Sequence, residues 1–327
     1  MTFKALLLEN QPAFSARVAD IEQAQLPEGE VLVRVSHSTL NFKDALAIAN
    51  ASPIVRAWPM VAGIDAAGVV ESSSSPDFRP GDPVVVNGWG QSETRWGALG
   101  QYVRVPADWP VKLPAPYGPF EAAAVGTAGY TAAMCVQALE RHGLKPEDGP
   151  VLVTGATGGV GSIAVLLLAR AGFRVLAVTG KAQDADYLKG LGAAEVLARA
   201  EFTDPGKPLQ KERFAGVVDT LGSHALANAC AQVQRNGAVA ACGLAMGMDF
   251  PATVAPFILR GVSLYGIDSV YASRARREAA WALLAQRIAP TDLAGIVQVI
   301  GLSETVEAAN RILAGRMTGR YVVDVNR

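Results

Sequence analysis

The chain has 327 residues, half of them hydrophobic and 18% charged, with a formal net charge of −1. That length allows two domains with a sizeable core, and the near-neutral charge excludes the basic field that holds nucleic acid or an anionic membrane surface. Three scattered cysteines, Cys135, Cys230 and Cys242, exclude a disulfide framework and fit a reducing cytoplasm; Met1 to Asn10 has no apolar core of signal-peptide length.

Up to about residue 120 the pattern is β-rich. Lys4 to Leu8, Glu30 to Ser38, Val61 to Glu71, Val84 to Val86 and Gln101 to Val105 run apolar or alternate, with Arg79-Pro80-Gly81-Asp82 as a turn. Many short strands at close intervals predict a small barrel or partly open sheet. Within this part Asn41 precedes a helix expected from Phe42. A crossing segment follows over Pro106 to Pro119, and a helix from Phe120 to Arg141.

At Val151 the texture changes. Val151-Leu152-Val153-Thr154 reads as a buried strand, Gly155-Ala156-Thr157-Gly158-Gly159-Val160-Gly161 as a tight turn, and Ser162 to Ala171 as an apolar helix closed by Gly172. Ala156, Gly158 and Gly161 stand at the G-x-G-x-x-G spacing, with Ala first. A strand over Phe173 to Val178 completes a βαβ unit. Such a turn lets a phosphate approach bare backbone and the helix N-terminus, so it predicts a dinucleotide. An Asp or Glu at the end of the second strand would bind ribose hydroxyls and repel a 2′-phosphate. Thr179-Gly180-Lys181 stands there instead, and Arg199 follows the next strand, so NADPH is the expected cofactor.

Further strands are expected at Glu195 to Leu197, Gly216 to Asp219, Ala238 to Cys242 and Ser263 to Ile267. An amphipathic helix at Ser303 to Gly315 and a last strand at Arg320 to Val325 close the chain. The fold class is therefore α/β: a β-rich domain over residues 1–120, a doubly wound parallel sheet over 121–262, and a return to the first domain over 263–327, with ligand in the cleft between domains.

A catalytic zinc that stabilises an alkoxide needs Cys and His ligands. Here Gly63-Ile64-Asp65 has neither, and His37, His142 and His224 are scattered with no Cys nearby, so no metal is expected. Without a Lewis acid the tractable hydride reaction is reduction of a polarised C=C bond, with hydrogen-bond donors carrying the enolate charge. From the residues alone, Asn41 and Asp44 read as cap and support of the helix at Phe42.

Leu40-Asn41-Phe42-Lys43-Asp44, Pro59 to Asp65, Arg79 to Asp82 and the Ala156 to Gly161 turn resemble the zinc-free quinone-oxidoreductase branch of the medium-chain dehydrogenase/reductase superfamily. Val86 to Gly90, Trp96 to Leu99, Asp186 to Lys189, Ala241 to Ala245 and Gly266 to Val270 are similar to its acryloyl-CoA reductase (NADPH) group. The resemblance implies a GroES-like catalytic domain, a Rossmann domain and reduction of acryloyl-CoA to propanoyl-CoA. The alternatives are a quinone or enone reductase and, remotely, a non-enzymatic NADPH-binding sensor. It also implies a cytoplasmic homodimer without nucleic-acid or membrane partners. By position it assigns Asn41 and Phe42 to the nicotinamide region, which gives Asn41 a second reading as donor to cofactor or substrate and Asp44 one as orienter or proton relay. It assigns Thr157, Gly158, Gly159 and Val160 to the pyrophosphate. Thr179, Gly180, Lys181 and Arg199 fall to the adenosine phosphate, and Leu244, Ile258 and Ser269 to the nicotinamide half. Relatives often have Tyr where Phe42 stands, so the α-carbon proton falls to water. Arg56, Arg79, Arg95, Arg274, Arg276, Arg277 and Arg320 are candidates for the phosphates of CoA.

Overall fold

The structure, a computed structural model, describes all 327 residues. Its strands are β1 (Thr2–Glu9), β2 (Ser15–Glu22), β3 (Val31–Leu40), β4 (Met60–Val61), β5 (Asp65–Ser73), β6 (Pro83–Asn87), β7 (Tyr102–Val105) and β8 (Val111–Lys112), then β9 (Val151–Val153), β10 (Val175–Thr179), β11 (Ala193–Ala198), β12 (Phe214–Asp219), β13 (Val233–Ala241), β14 (Ser263–Gly266), β15 (Val297–Gly301) and β16 (Arg320–Asp324). The helices are α1 (Phe42–Ile48), α2 (Pro119–His142), α3 (Gly159–Arg170), α4 (Ala185–Gly190), α5 (Ser223–Gln232), α6 (Ala255–Arg260), α7 (Arg274–Arg287), α8 (Pro290–Leu293) and α9 (Thr305–Leu313).

One compact unit comprises Met1–Thr127, Val270–Ala285 and Ala289–Arg327. It holds a three-stranded sheet, β2-β1-β4, and a sheet ordered β15-β16-β3-β5-β6-β8 with β7 also on β3. Val33, Val35, Val84, Val86 and Val323 fill its core, as alternation along the strands requires, with Leu99 from the loop before β7. Register then brings distant polar residues together. Antiparallel β16 sets Tyr321 opposite Leu40, so Arg320 arrives beside Asn41. On β5, Asp65 lies opposite Asn87 of β6, and the β3 pairing of His37 with Ala67 carries Thr39 alongside Asp65.

The other unit comprises Ala128–Ser269 and Gln286–Ile288. Its six strands, ordered β11-β10-β9-β12-β13-β14, are all parallel. Because β14 pairs with β13, this unit runs to Ser269; the boundaries expected after 120 and after 262 lie seven residues early at both ends. Helix α3 starts at Gly159, three residues before the expected Ser162, because the glycines themselves adopt helical backbone after the turn. Helix α2 is long and apolar enough by composition to cross a membrane, yet 89% of its most apolar window is buried within the fold, and Gly126 (φ 50°) interrupts it. It is a core helix.

Candidate active site

Two sets of residues carry chemistry. The first surrounds Asp65, which is 2% exposed. Its carboxylate accepts from Thr39 Oγ1 at 2.6 Å, Asn87 Nδ2 at 2.7 Å, Asn41 Nδ2 at 2.8 Å and the Thr127 amide at 3.0 Å, and from the Thr127 hydroxyl. A buried carboxylate needs this many donors to stay in place. Gly126 makes the approach possible: a Cβ there would lie 2.9 Å from Asp65 Oδ2 and against the Arg320 guanidinium. Arg320 is also 2% exposed. It donates through Nε to the Ala124 carbonyl at 2.8 Å and through Nη1 to Asn41 Oδ1 at 3.3 Å. Burial lowers its pKa, while the charges of Asp65 and Asp44 oppose that shift.

Asp44 is fully buried. Its Oδ2 accepts from the Asn41 amide at 2.8 Å and from Asn41 Nδ2 at 3.0 Å, and its Oδ1 accepts from the Ile64 amide at 3.0 Å. Asp44 thus closes the first turn of α1 and braces it against β5's approach. The Asn41 amide nitrogen points at Thr39, Asp44 and Asp65, and its oxygen accepts from Arg320. Its two hydrogens are engaged inside the array, so the structure supports the capping and orienting reading over free donation to a ligand. Lys43 pairs with Glu93 at 2.6 Å, and Phe42 is exposed with no hydroxyl to give.

Burial, and then the like charge of Asp65, push the Asp44 carboxyl up to about 7. The folded state therefore holds this proton more tightly than the unfolded chain. The associated stability is full below about pH 4 and is lost as pH rises through about 7. Relative to Asp44→Asn, the parent chain is expected to lose up to roughly 4 kcal/mol between pH 4 and 8, read from urea unfolding at each pH. Parallel slopes in the two proteins would refute this.

The second set lies at the carboxyl ends of the parallel strands, where α/β sheets bind ligands. The turn after β9 caps α3 with Gly158, and the first amides of α3 have no partner within the helix. Side chains are excluded there: a Cβ on Gly161 would strike the Gly155 carbonyl. Thr157 and Thr179 hydroxyls are 3.2 Å apart, and the Lys181 amide donates to Thr179 Oγ1 at 3.0 Å. Arg199 packs its guanidinium on Gly180, where a Cβ would come within 2.8 Å. Burial lowers the Lys181 pKa, the charge of Asp184 opposes that shift, and Arg199 adds to it. A groove of about 540 Å³ is lined by Thr179, Gly180, Arg199 and Thr203 among others, with no acidic residue on its walls. Two cations held against one another beside a glycine suit a ligand with an extra phosphate. The residues present fit NADPH.

Leu244 follows β13 and Ser269 follows β14, on this same sheet edge; Ser269 Oγ accepts from Thr131 at 2.8 Å. Ile258, on α6, is the exception, since α6 precedes β14. Leu244 is 50% exposed and Ile258 72%, so neither is the core residue its apolar character suggests. Two of the candidate CoA-phosphate arginines are excluded. Arg277 and Arg320 are buried and bonded to backbone carbonyls, because strand pairing and helix packing, invisible locally, enclose them. Asp65, Thr39, Asn87 and Thr127 were not among the expected site residues, although the Gly63-Ile64-Asp65 position drew notice to one of them, and Arg320 was expected only at the phosphates of CoA.

A β-rich unit with a buried polar array, and a parallel-sheet unit with a dinucleotide turn, define a nucleotide-dependent oxidoreductase architecture. Residues 27–115 match the alcohol dehydrogenase GroES-like domain family, and residues 159–286 match the zinc-binding dehydrogenase family. The chain is 47% identical to the acrylyl-CoA reductase AcuI of Ruegeria pomeroyi, over 99% of each chain. It is 46% identical to the putative quinone oxidoreductase YhfP of Bacillus subtilis, over 98% of each. The yhdH oxidoreductase of Salmonella enterica, solved with NADP, superposes with a TM-score of 0.97 at 46% identity, over 98% of this chain and 99% of that one. The chain belongs to the zinc-free branch of the medium-chain dehydrogenase/reductase superfamily. Although one matching family is named for zinc, no group of three or more His, Cys, Asp and Glu side chains here is placed to hold a metal ion.

Proposed function

We propose that this protein is an NADPH-dependent reductase of the C=C bond of an α,β-unsaturated thioester, with acryloyl-CoA as substrate and propanoyl-CoA as product. The observation that carries it is full-length likeness, at 47% identity, to an acrylyl-CoA reductase. The likeness to a putative quinone oxidoreductase at 46% supports the second reading, a quinone or enone reductase. Thr157, Gly158, Gly159 and Val160 would hold the pyrophosphate, and Thr179, Gly180, Lys181 and Arg199 the adenosine phosphate. Leu244, Ser269 and Ile258 would line the nicotinamide half. When bound, NADPH supplies the hydride. The Asp44–Asp65–Arg320 array fixes Asn41 and the start of α1, with its net charge nearly balanced, so that the loop carrying Asn41 and Phe42 is preorganised for the reacting groups. No phenol is available at Phe42, so the α-carbon proton comes from water. Incubation with acryloyl-CoA and NADPH is expected to give one propanoyl-CoA per NADPH consumed, seen by mass spectrometry. Free CoA as the main product, or no product, would rule the proposal out.

We further propose a cytoplasmic homodimer. Strand β14 is an edge of the parallel sheet, and its Leu264 and Tyr265 are exposed, as are Val254, Ile258 and Leu259 before it. An edge with unpaired backbone groups and apolar side chains invites two-fold pairing with a second copy. Leu264→Lys is expected to halve the mass measured by light scattering; an unchanged mass contradicts this assembly. The three cysteines are free, which supports a reducing compartment.

A further inference from the structure

Asn87 is the donor to Asp65 whose own orientation is set from elsewhere. It ends β6, and its Nδ2 lies 2.7 Å from Asp65 Oδ1. Its side-chain oxygen accepts from the indole Nε1 of Trp281 at 3.3 Å, and its backbone carbonyl accepts from Arg277 Nη1 at 2.5 Å. Arg277 and Trp281 are four residues apart on α7, hence on one helix face, and both are 1% exposed. Arg277 also donates through Nε to the Ala272 carbonyl at 2.9 Å and through Nη2 to the Val270 carbonyl at 2.6 Å, with its guanidinium 4.2 Å over the ring of Trp89. A carboxamide fits its pocket either way round, and the donors and acceptors around it decide which. Here the indole N–H demands the oxygen, and that choice delivers the nitrogen to Asp65. Turned over, Asn87 would set its oxygen against the carboxylate.

We infer that Arg277 and Trp281 are positioning residues for the reacting array: from helix α7 they fix Asn87, and through Asn87 they fix Asp65. This rests on the reading above that the array around Asn41 is the reacting site. The charged groups around Asp65 and Asp44 are Lys43 from α1, Arg320 from β16 and, behind Asn87, Arg277 from α7; Glu93 neutralises Lys43. The Asn87 N–H helps to hold the Asp65 carboxylate in place. Without it Asp65 is free to turn toward Asp44, whose carboxyl its like charge already raises, so Asp44 keeps its proton to higher pH.

The test is the pH dependence of unfolding between pH 4 and 9, which needs no substrate, alongside the pH profile of kcat. Trp281→Phe removes the N–H together with part of the buried ring, so its effect is read from the midpoint and not from the overall loss of stability. Arg277→Lys keeps the charge but cannot bridge three carbonyls. Both are expected to raise the midpoint of the stability loss by about half a pH unit or more, as a lost hydrogen bond to a charged group implies. Asn87→Ala should give the same rise, and Trp281→Phe should add nothing in that background. Variants that are less stable but keep the parent midpoint would overturn the inference, as would additive effects of Trp281→Phe and Asn87→Ala. If the midpoint moves as expected in a chain that does not reduce acryloyl-CoA, this inference stands and only the substrate reading falls.

Discussion

Arg320→Met is expected to cost about 3–5 kcal/mol of folding stability, the range for removing one partner of a buried charge cluster. Asp44 and Asp65 are both buried, and Arg320 is the buried cation that faces both. Its loss leaves two carboxylates in the interior and strips Asn41 Oδ1 and the Ala124 carbonyl of their donor. That is roughly a fifth or more of the stability of an ordinary domain, about 5–15 kcal/mol. Turnover should collapse with it, because Asn41 loses the contact that fixes its amide. Urea unfolding at pH 7 is the measurement. The deficit should shrink at pH 5, where protonation of Asp44 removes one of the uncompensated charges. A variant as stable as the parent, or a deficit that grows on acidification, would show that the array is not held together by this charge balance.

The second large effect concerns the cofactor. Lys181→Ala and Arg199→Ala are each expected to weaken NADPH binding by about 10- to 100-fold, the worth of one charge-assisted contact to phosphate. NADH, which lacks the 2′-phosphate, should bind the variants as it binds the parent. The sign follows from the two cations: Arg199 lines the groove, whose walls carry no acid, and Lys181 lies close enough for Arg199 to lower its pKa. Fluorescence titration with both nucleotides checks this. Equal losses for NADPH and NADH would mean that the two side chains hold the loop rather than the phosphate.

How much was legible in the sequence depended on how local the cause was. The dinucleotide turn was visible because strand, glycines and helix are contiguous, and Lys181 could be placed by counting from them. The Asn41–Asp44 contact was open to reading because the residues are three apart at a helix start. The rest of the array was not. Asp65 meets Asn87 and Thr127 across 22 and 62 residues, and Arg320 meets Asn41 across 279. Only strand register brings them together, and nothing around Arg320 distinguishes it from a surface cation. Helix α7 was overlooked for a related reason. Arg277, Ala280, Trp281 and Leu284 form its buried stripe, and a charged residue at the head of the stripe disguises the period. Strand β2 hid behind the alternating charges of an edge strand, whose burial pattern is mostly exposed.

NADPH-dependent reduction of an acyl-CoA double bond is decided by steady-state kcat/KM for acryloyl-CoA, a simple enone and a quinone, each with NADPH and with NADH. The highest value is expected for acryloyl-CoA with NADPH, by about tenfold or more over either other acceptor and over NADH, the ratio that one additional anchoring contact supplies. A quinone or enone turned over as well as acryloyl-CoA, or NADH used as well as NADPH, would contradict it.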